Sequence, residues 1–377
     1  MAKKPAQELR VDAQRTIAAP KLPYQPRKPR RYDPGIGLIA CGSITQAHLT
    51  AYRSAGYRVV ALCDLVIEKA RARRKEFFPE ADVYADYRDV LRRDDVEVVD
   101  IATHPRERAP LIAAALEAGK HVLSQKPFVV DLDVGEKLAD LADRKGVRLA
   151  VNQNGRWAPY FSWMRQAVSK GLIGDPYAVH LSCHWDHETA LLGTDFDRIH
   201  HIIFYDFAIH WFDALHCLMG KRRALTASGS VSRVPGQKAR PPLLAEAVIQ
   251  FEDGQASLVF DACTCSASVE TDVVVGTKGM LKSEGVVCNP RSVELSTKAG
   301  RAIARLRGEW FPDGFAGTMG ELLCSVEEKR VPENNARDNL ESLALCFASI
   351  VSADTGKPQK VGTVRKPPFA RCTPTER

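Results

Sequence analysis

From residue 35 the chain alternates short, nearly unbroken apolar runs with stretches of helical periodicity. GIGLIACG, YRVVALCD, VEVVDIAT, HVLSQKP and VRLAVNQN read as strands, with helices near 46–55, 65–77, 106–118 and 131–145. Strands apolar on both faces and separated by amphipathic helices predict a parallel sheet covered on both sides. Beyond a helix starting near Pro159 the pattern changes. YAVHLSCHW, AEAVIQF, QASLVFDACT, ETDVVVGT and VELST are spaced by turns such as EDG and TKG, which suit antiparallel connections. ARDNLESLALCFASIVSADTGKP has helical periodicity and a glycine stop. The expected fold class is an α/β Rossmann domain plus an α+β domain with a large, mainly antiparallel sheet. The expected division is an arm over 1–32, a nucleotide-binding domain over 33–155, a second domain over 156–360 and a tail over 361–377.

At 377 residues there is chain enough for two cores. The net charge of +7 does not describe the folded part. Residues 1–32 hold nine Lys/Arg against Glu8 and Asp12, so this arm accounts for the whole excess. Its prolines, as in KLPYQPRKPRRYDPG, bar a continuous helix, and it carries no recognised folded reader of nucleic acid. The arm is expected to be solvated or to lie along its own or a neighbouring subunit. The most apolar helical segment, IIFYDFAIHWFDALHCLMG, is interrupted by Asp206, His210, Asp213 and His216, which argues against a membrane span. Ten scattered cysteines without a second close pair fit reduced thiols and a cytoplasmic protein. Cys263 and Cys265 are expected to alternate within a strand.

The turn after the first strand, ACGSIT, keeps one glycine of a GxGxxG fingerprint. Ala40 and Thr45 take the outer positions, and Gly42 the central one, where a backbone can approach a pyrophosphate at a helix N-terminus. Asp64 closes the next strand. A carboxylate there accepts hydrogen bonds from both adenosine ribose hydroxyls and repels a 2'-phosphate, so NAD is favoured over NADP. Lys126, in SQKPF at the end of the fifth strand, stands where open sheets place their ligands and can stabilise an alkoxide.

DFAIHWFD carries Asp206, His210 and Asp213 at offsets of four and three, nearly in register on a helix. An imidazole oriented by a carboxylate suits removal of a hydroxyl proton. His184, His187, His200 and His201 lie nearby in sequence, but their spacing is not HExxH, and no metal is expected.

Together these segments resemble the glucose-fructose oxidoreductase, inositol dehydrogenase and rhizopine-catabolism group of dehydrogenases, from about residue 35 to residue 360. ACGSITQAH with His48, AGKHVLSQKP, GLIGDPYAV and DFAIHWFD carry the resemblance. It implies hydride transfer between NAD(P) and a sugar, inositol or polyol, and a second domain that binds substrate and forms a homodimer or homotetramer. It implies catalytic roles for Lys126, Asp206 and His210, with His210 the base and Asp206 its positioner. Cys41, Gly42, Ser43, Ile44, Asp64, Thr103, Gln125 and Lys126 would contact cofactor. Lys126, Arg156, Trp157, Asp206 and His210 would contact substrate, although Arg156 can instead pair with an interdomain acid and Trp157 pack in the junction. Gln125 replaces the family's glutamate, and the TPPxxH stretch reads THPRER, with His104 for proline and Arg108 for histidine. Arg106 and Arg108 are expected to be solvated at a helix start.

The function expected is that of an NAD-dependent oxidoreductase acting on a secondary hydroxyl. Two alternatives are an enzyme that retains NAD and uses a transient ketone for elimination, glycoside cleavage or hydride exchange, and a non-enzymatic ligand-binding or assembly protein.

Overall fold

The computed structural model describes residues 15–220 and 222–368. Six strands, β1 (Gly35–Ile39), β2 (Val59–Cys63), β3 (Asp82–Tyr84), β4 (Val96–Ile101), β5 (His121–Ser124) and β6 (Leu149–Val151), form one sheet in the order β3-β2-β1-β4-β5-β6. Every pairing in it is parallel. Val96, Val98, Val99 and Ile101 of β4 are fully buried, as a strand packed on both faces requires. The strand order reverses between β1 and β4, so the loops after these two strands open a crevice at the carboxyl edge. The short β3 and the helix Tyr87–Leu91 have no counterpart in the apolar pattern because neither exceeds one turn or three residues of pairing.

The second sheet has nine strands: β7 (Pro176–His184), β8 (Ala224–Ser232), β9 (Leu244–Phe251), β10 (Gly254–Asp261), β11 (Val269–Gly276), β12 (Gly279–Gly285), β13 (Ser292–Thr297), β14 (Gly300–Arg305) and β15 (Gln359–Lys360). Their order is β14-β13-β12-β11-β7-β10-β9-β8-β15, and β7 with β10 is the one parallel pair. Strict alternation of buried and exposed residues, as along β9 and β14, marks a sheet with one covered face. Helices Pro159–Ser169, Ile209–Met219 and Ala336–Thr355 pack against it, and Trp163, Trp211 and Trp310 are buried in the layer between. The second sheet strand at 254–261 ends before Cys263, so Cys263 and Cys265 do not share a strand; Cys263 makes only an isolated bridge with Asp186.

The two halves share their cores. Phe315, Met319, Leu322 and Leu323, from helix Phe315–Glu327, pack with Leu49, Tyr52 and Tyr57 of the first half. Helix Ala336–Thr355 packs back on the first half as well, and the segment leading into it is tied there by the Val151 N–H, which donates to Asn334 O over 2.8 Å. The arm from residue 15 lies along its own chain. Thr16 bridges to Arg301 at the sheet edge, Ser162 Oγ donates to Tyr24 O, and Glu327 accepts the N–H groups of Arg30, Arg31 and Tyr32. Residues 1–14 and 369–377, parts of the expected arm and tail, lie outside the described residues. Among the described residues no helix is long and apolar enough to cross a membrane.

A buried acid pair sits on the covered face of the second sheet. Glu270 accepts from Tyr160 Oη, Trp211 Nε1 and Cys288 N, while Asp272 accepts from Ser283 Oγ and lies beside Glu270. Burial pushes the Glu270 carboxyl up to about 7 and Asp272 well above its ordinary value, so the folded pair keeps a proton that the unfolded chain releases near 4.5. The folded state then binds more protons between these values, and stability must fall as pH rises from about 4.5 to about 7. The expected loss is roughly 3 kcal/mol for that one proton at about 1.36 kcal/mol per pH unit, read from denaturant midpoints across that range. A flat profile would show that the pair is ionised throughout.

Candidate active site

The loop after β1 is built around a strained residue and an open one. Ala40, in the first glycine position of the fingerprint, has φ +72°, the left-handed region that a Cβ disfavours. Ala40→Gly is expected to raise stability by about 1 kcal/mol, seen as a higher denaturant midpoint. Gly42 differs: no atom lies within 4 Å of the position its Cβ would take. The fold itself does not require glycine there: a Cβ would project into open space, and its absence leaves the backbone accessible from the cleft that Gly42 lines. Thr45, in the third position, is buried and donates its hydroxyl to Gly42 O over 2.6 Å, tying the turn to helix Thr45–Ala55. The first N–H groups of that helix donate to carbonyls of the turn, Thr45 to Gly42 O, Gln46 to Ser43 O and Ala47 to Ile44 O, so the turn caps the helix and its positive end lies beside the cleft that Gly42, Ser43 and Ile44 line.

Asp64 ends β2 beside this turn. Its two oxygens accept the N–H groups of Cys41 and Val66, each over 2.8 Å, which fixes the carboxylate with lone pairs remaining for ribose hydroxyls. The Cys41 thiol is buried, and burial pushes it up to about 12, so this cysteine shapes the turn through its backbone and stays a thiol.

The turn forms one wall of a cleft of about 530 Å³. Gly42, Ser43 and Ile44 line it on one side, Thr103 and His104 on another, and Gln125, Lys126 and Asp206 close the end. Phe196, from the second half, covers it near His104, with ring centroids 5.7 Å apart. This is the crevice at the strand-order reversal, and its glycine cradle, anchored carboxylate and helix N-terminus fit a dinucleotide such as NAD.

Lys126 follows β5 before a cis proline. Its Nζ donates to Asp206 O over 2.8 Å and stands 3.1 Å from Asp206 Oδ2. The loop is held by Arg108, which is buried and donates to Thr103 O, Gln125 O and Pro127 O. The expectation of a solvated Arg108 is thus corrected. Arg108 lies on helix Pro105–Glu117, on the face turned toward the sheet, and burial lowers its pKa to about 10 while leaving it charged at neutral pH. Arg106 is exposed as expected.

DFAIHWFD is not one regular helix. Ile203–Phe207 is a π-helical turn, and the α-helix begins at Ile209. The wider turn breaks the expected register: Asp206 joins Lys126, and Asp213 points to a different cluster. His210 is half-buried with its ring edge-on to Trp310 at 5.2 Å. Its Nδ1 is buried with no hydrogen-bond partner, so Asp206 does not orient it there. Burial, then the Lys126 charge, holds the imidazole well below its ordinary pKa and therefore neutral. His187, on the loop after β7, approaches from the other side within the influence of Asp206 and Lys126, and burial lowers its pKa too.

Arg156 and Trp157, expected at the substrate, do not line the cleft. Arg156 is buried in a fork with Asp213, Nε to Oδ2 at 2.6 Å and Nη2 to Oδ1 at 2.7 Å, and also reaches Asp338 at 2.6 Å. Ser342 Oγ donates to Asp213, and His216 meets Asp338 at 2.9 Å. Burial opposes the guanidinium charge, yet Asp213 and Asp338 hold its pKa well above the ordinary value. Trp157 packs in the junction, against Gly317 and under the Arg165 guanidinium. The sequence marked His48 only as part of the resemblance, with no role, and sequence reasoning missed the buried Asp100 and Tyr52 and the inward turn of Arg108. An aspartate inside the apolar run VEVVDIAT was the available signal for Asp100.

Residues 35–153 match the model of an oxidoreductase family with an NAD-binding Rossmann fold, and residues 161–282 match the GFO/IDH/MocA C-terminal domain. D-apiose dehydrogenase of Paraburkholderia graminis is 28% identical over 335 residues, covering 85% of this chain and 88% of that protein. Inositol 2-dehydrogenase of Burkholderia multivorans is 23% identical over 357 residues, covering 89% and 99%. Among solved structures, a levoglucosan dehydrogenase in complex with NADH and levoglucosan has a TM-score of 0.75 at 17% identity, covering 87% of this chain and 99% of that one. An oxidoreductase from Agrobacterium radiobacter in complex with NAD+, L-tartaric acid and magnesium has a TM-score of 0.77 at 18% identity, covering 88% and 99%. These likenesses show the shared fold.

Proposed function

The chain belongs to the GFO/IDH/MocA oxidoreductase family, and from that premise we propose that it is an NAD-dependent dehydrogenase acting on a secondary hydroxyl of a sugar, inositol or related polyol. The observation that carries the reading is the cleft itself: a glycine cradle at one end and, at the other, a lysine paired with an aspartate beside a neutral histidine. NAD, when bound, supplies the hydride acceptor. Gly42, Ser43 and Ile44 would hold its pyrophosphate, Asp64 its ribose, and Thr103 and Gln125 the wall beside its ring. Lys126 Nζ, anchored by Asp206, donates to the reacting hydroxyl oxygen and stabilises the alkoxide as it forms. His210 takes the hydroxyl proton at Nε2, since Nδ1 is sealed within the protein. The D-apiose and inositol dehydrogenases among the relatives support a cyclic sugar or polyol as substrate.

A cytoplasmic homodimer or homotetramer completes the proposal. The described cysteines are all free, and Val248 and Ile303 stand exposed on the uncovered face of the second sheet, where a second copy would pack. The test is NADH absorbance from purified protein with NAD and a panel of inositols, aldoses, uronic acids and amino sugars. Stoichiometric NADH with at least one class is expected. Product formation without NADH release would replace this reading with a retained-cofactor cycle, and binding without product would leave a ligand-binding protein.

A further inference from the structure

We propose that His48 and Gln125 are positioning residues of the cleft, forming with Asp100 a relay that holds His48 as the neutral imidazole protonated on Nδ1. Gln125 carries that polarity to the backbone of Lys126. The inference rests on the cleft being the reaction site proposed above.

The hydrogen bonds of Gln125 admit one arrangement. The Lys126 N–H donates to Gln125 Oε1 over 2.7 Å, which fixes the amide orientation and turns Gln125 Nε2 toward His48 Nε2 at 2.9 Å. Asn152 Nδ2 approaches the same ring nitrogen at 3.2 Å, while Asn152 Oδ1 faces the Thr318 hydroxyl at 2.8 Å. Two N–H donors converge on His48 Nε2, so that nitrogen presents its lone pair. The ring proton is then on Nδ1, 2.7 Å from Asp100 Oδ2, an oxygen that also accepts from Tyr52 Oη at 2.7 Å. His48, Asp100, Gln125 and Asn152 are all buried, and the Phe315 ring lies 4.8 Å from the imidazole, so water does not substitute for any member.

Charge explains why an amide stands at position 125. The groups facing His48 are Asp100 from β4, Tyr52 from its own helix, the amides of Gln125 and Asn152 after β5 and β6, and Phe315 from helix Phe315–Glu327. Arg108 lies close enough to interact with Asp100, and Lys126 adjoins Gln125. Among the described residues, the only full charge in hydrogen-bond contact with the ring is the Asp100 carboxylate. A carboxylate in place of the Gln125 amide would set a second anion against the Nε2 lone pair. A proton bound by the pair, on the glutamate or on His48, relieves that contact, and the variant then carries a proton that the amide does not need. Gln125 therefore spares the ring a second anion, and its amide oxygen anchors the Lys126 N–H.

Gln125→Glu tests this. Relative to the wild-type pH profile, its kcat/KM should gain an extra ionisation and fall about tenfold further between mildly acidic and mildly alkaline pH, as the added proton is lost. Gln125→Met, which removes both hydrogen bonds, should lower kcat by about tenfold at every pH without the extra ionisation. A Gln125→Glu profile parallel to wild type would overturn the proposal. Should that variant fail to fold, 15N-imidazole NMR of the wild-type protein decides: His48 is expected as the Nδ1–H tautomer, and an Nε2–H ring refutes the relay. The NMR result stands whether or not any sugar is oxidised, so failure of the relay and failure of the dehydrogenase reading are separable.

Discussion

His210→Ala should lower kcat for the best polyol substrate by about 10²–10⁴-fold, the range lost when a general base is removed, while NAD binding changes little. The imidazole is packed against Trp310, and burial together with the neighbouring Lys126 charge disfavours its protonated form. A group depressed in this way is already the free base at neutral pH and remains so at moderately acidic pH. The acid limb of kcat should accordingly lie below the ordinary histidine value of 6.5 in the wild type. Lys126→Met should remove the electrostatic partner and also relax the depression of His210, since its charge is the second cause. Steady-state kinetics with titrated NAD, and direct NADH binding by fluorescence, separate loss of chemistry from loss of cofactor. Wild-type turnover in His210→Ala would transfer the base role elsewhere, with His187 the next group to test.

Asp213→Ala should destabilise the protein by about 3–5 kcal/mol without touching the cleft. Asp213 and Arg156 are both almost fully buried and meet in a two-point fork, with Ser342 and Asp338 completing the network. Removing one partner strands a buried guanidinium, which costs far more than the intact pair contributes relative to apolar residues of the same shape. The fall should appear as a lower denaturant midpoint, with kcat close to wild type at temperatures where the variant is folded. Arg156→Met combined with Asp213→Leu should recover part of the loss, because neither charge is then left alone. A variant as stable as wild type would mean that water reaches Arg156. A large rise in KM with unchanged stability would restore Arg156 to the substrate site.

The contrast between Asp206 and Asp213 shows where local pattern stops being informative. Both lie in DFAIHWFD, and helical spacing gives them equal standing around His210. The π turn at Ile203–Phe207 sends one to Lys126, and the buried Arg156 draws the other away. No spacing rule in the sequence announces a wide turn. Arg108 makes the same point: a charged residue at a helix start is usually solvated, but three carbonyls of the β4 and β5 loops converge on it. Those carbonyls come from residues up to 19 positions away.

What the chain determined by itself is the parallel sheet and the three chemical groups that follow its strand ends. Strands apolar on both faces must be covered on both sides, and Gly42, Asp64 and Lys126 each follow directly from a strand end, so strand periodicity also located them. The tertiary structure alone decided the partners of the charged groups. It paired Asp206 with Lys126, Arg156 with Asp213 and His48 with Asp100 and Gln125, and it placed helix Phe315–Glu327 in the core of the first half. Burial of apolar surface depends on composition and period, which a sequence displays. The partner of a buried charge is set by which distant segments converge in a low-dielectric interior, where an unpaired group is too costly to remain.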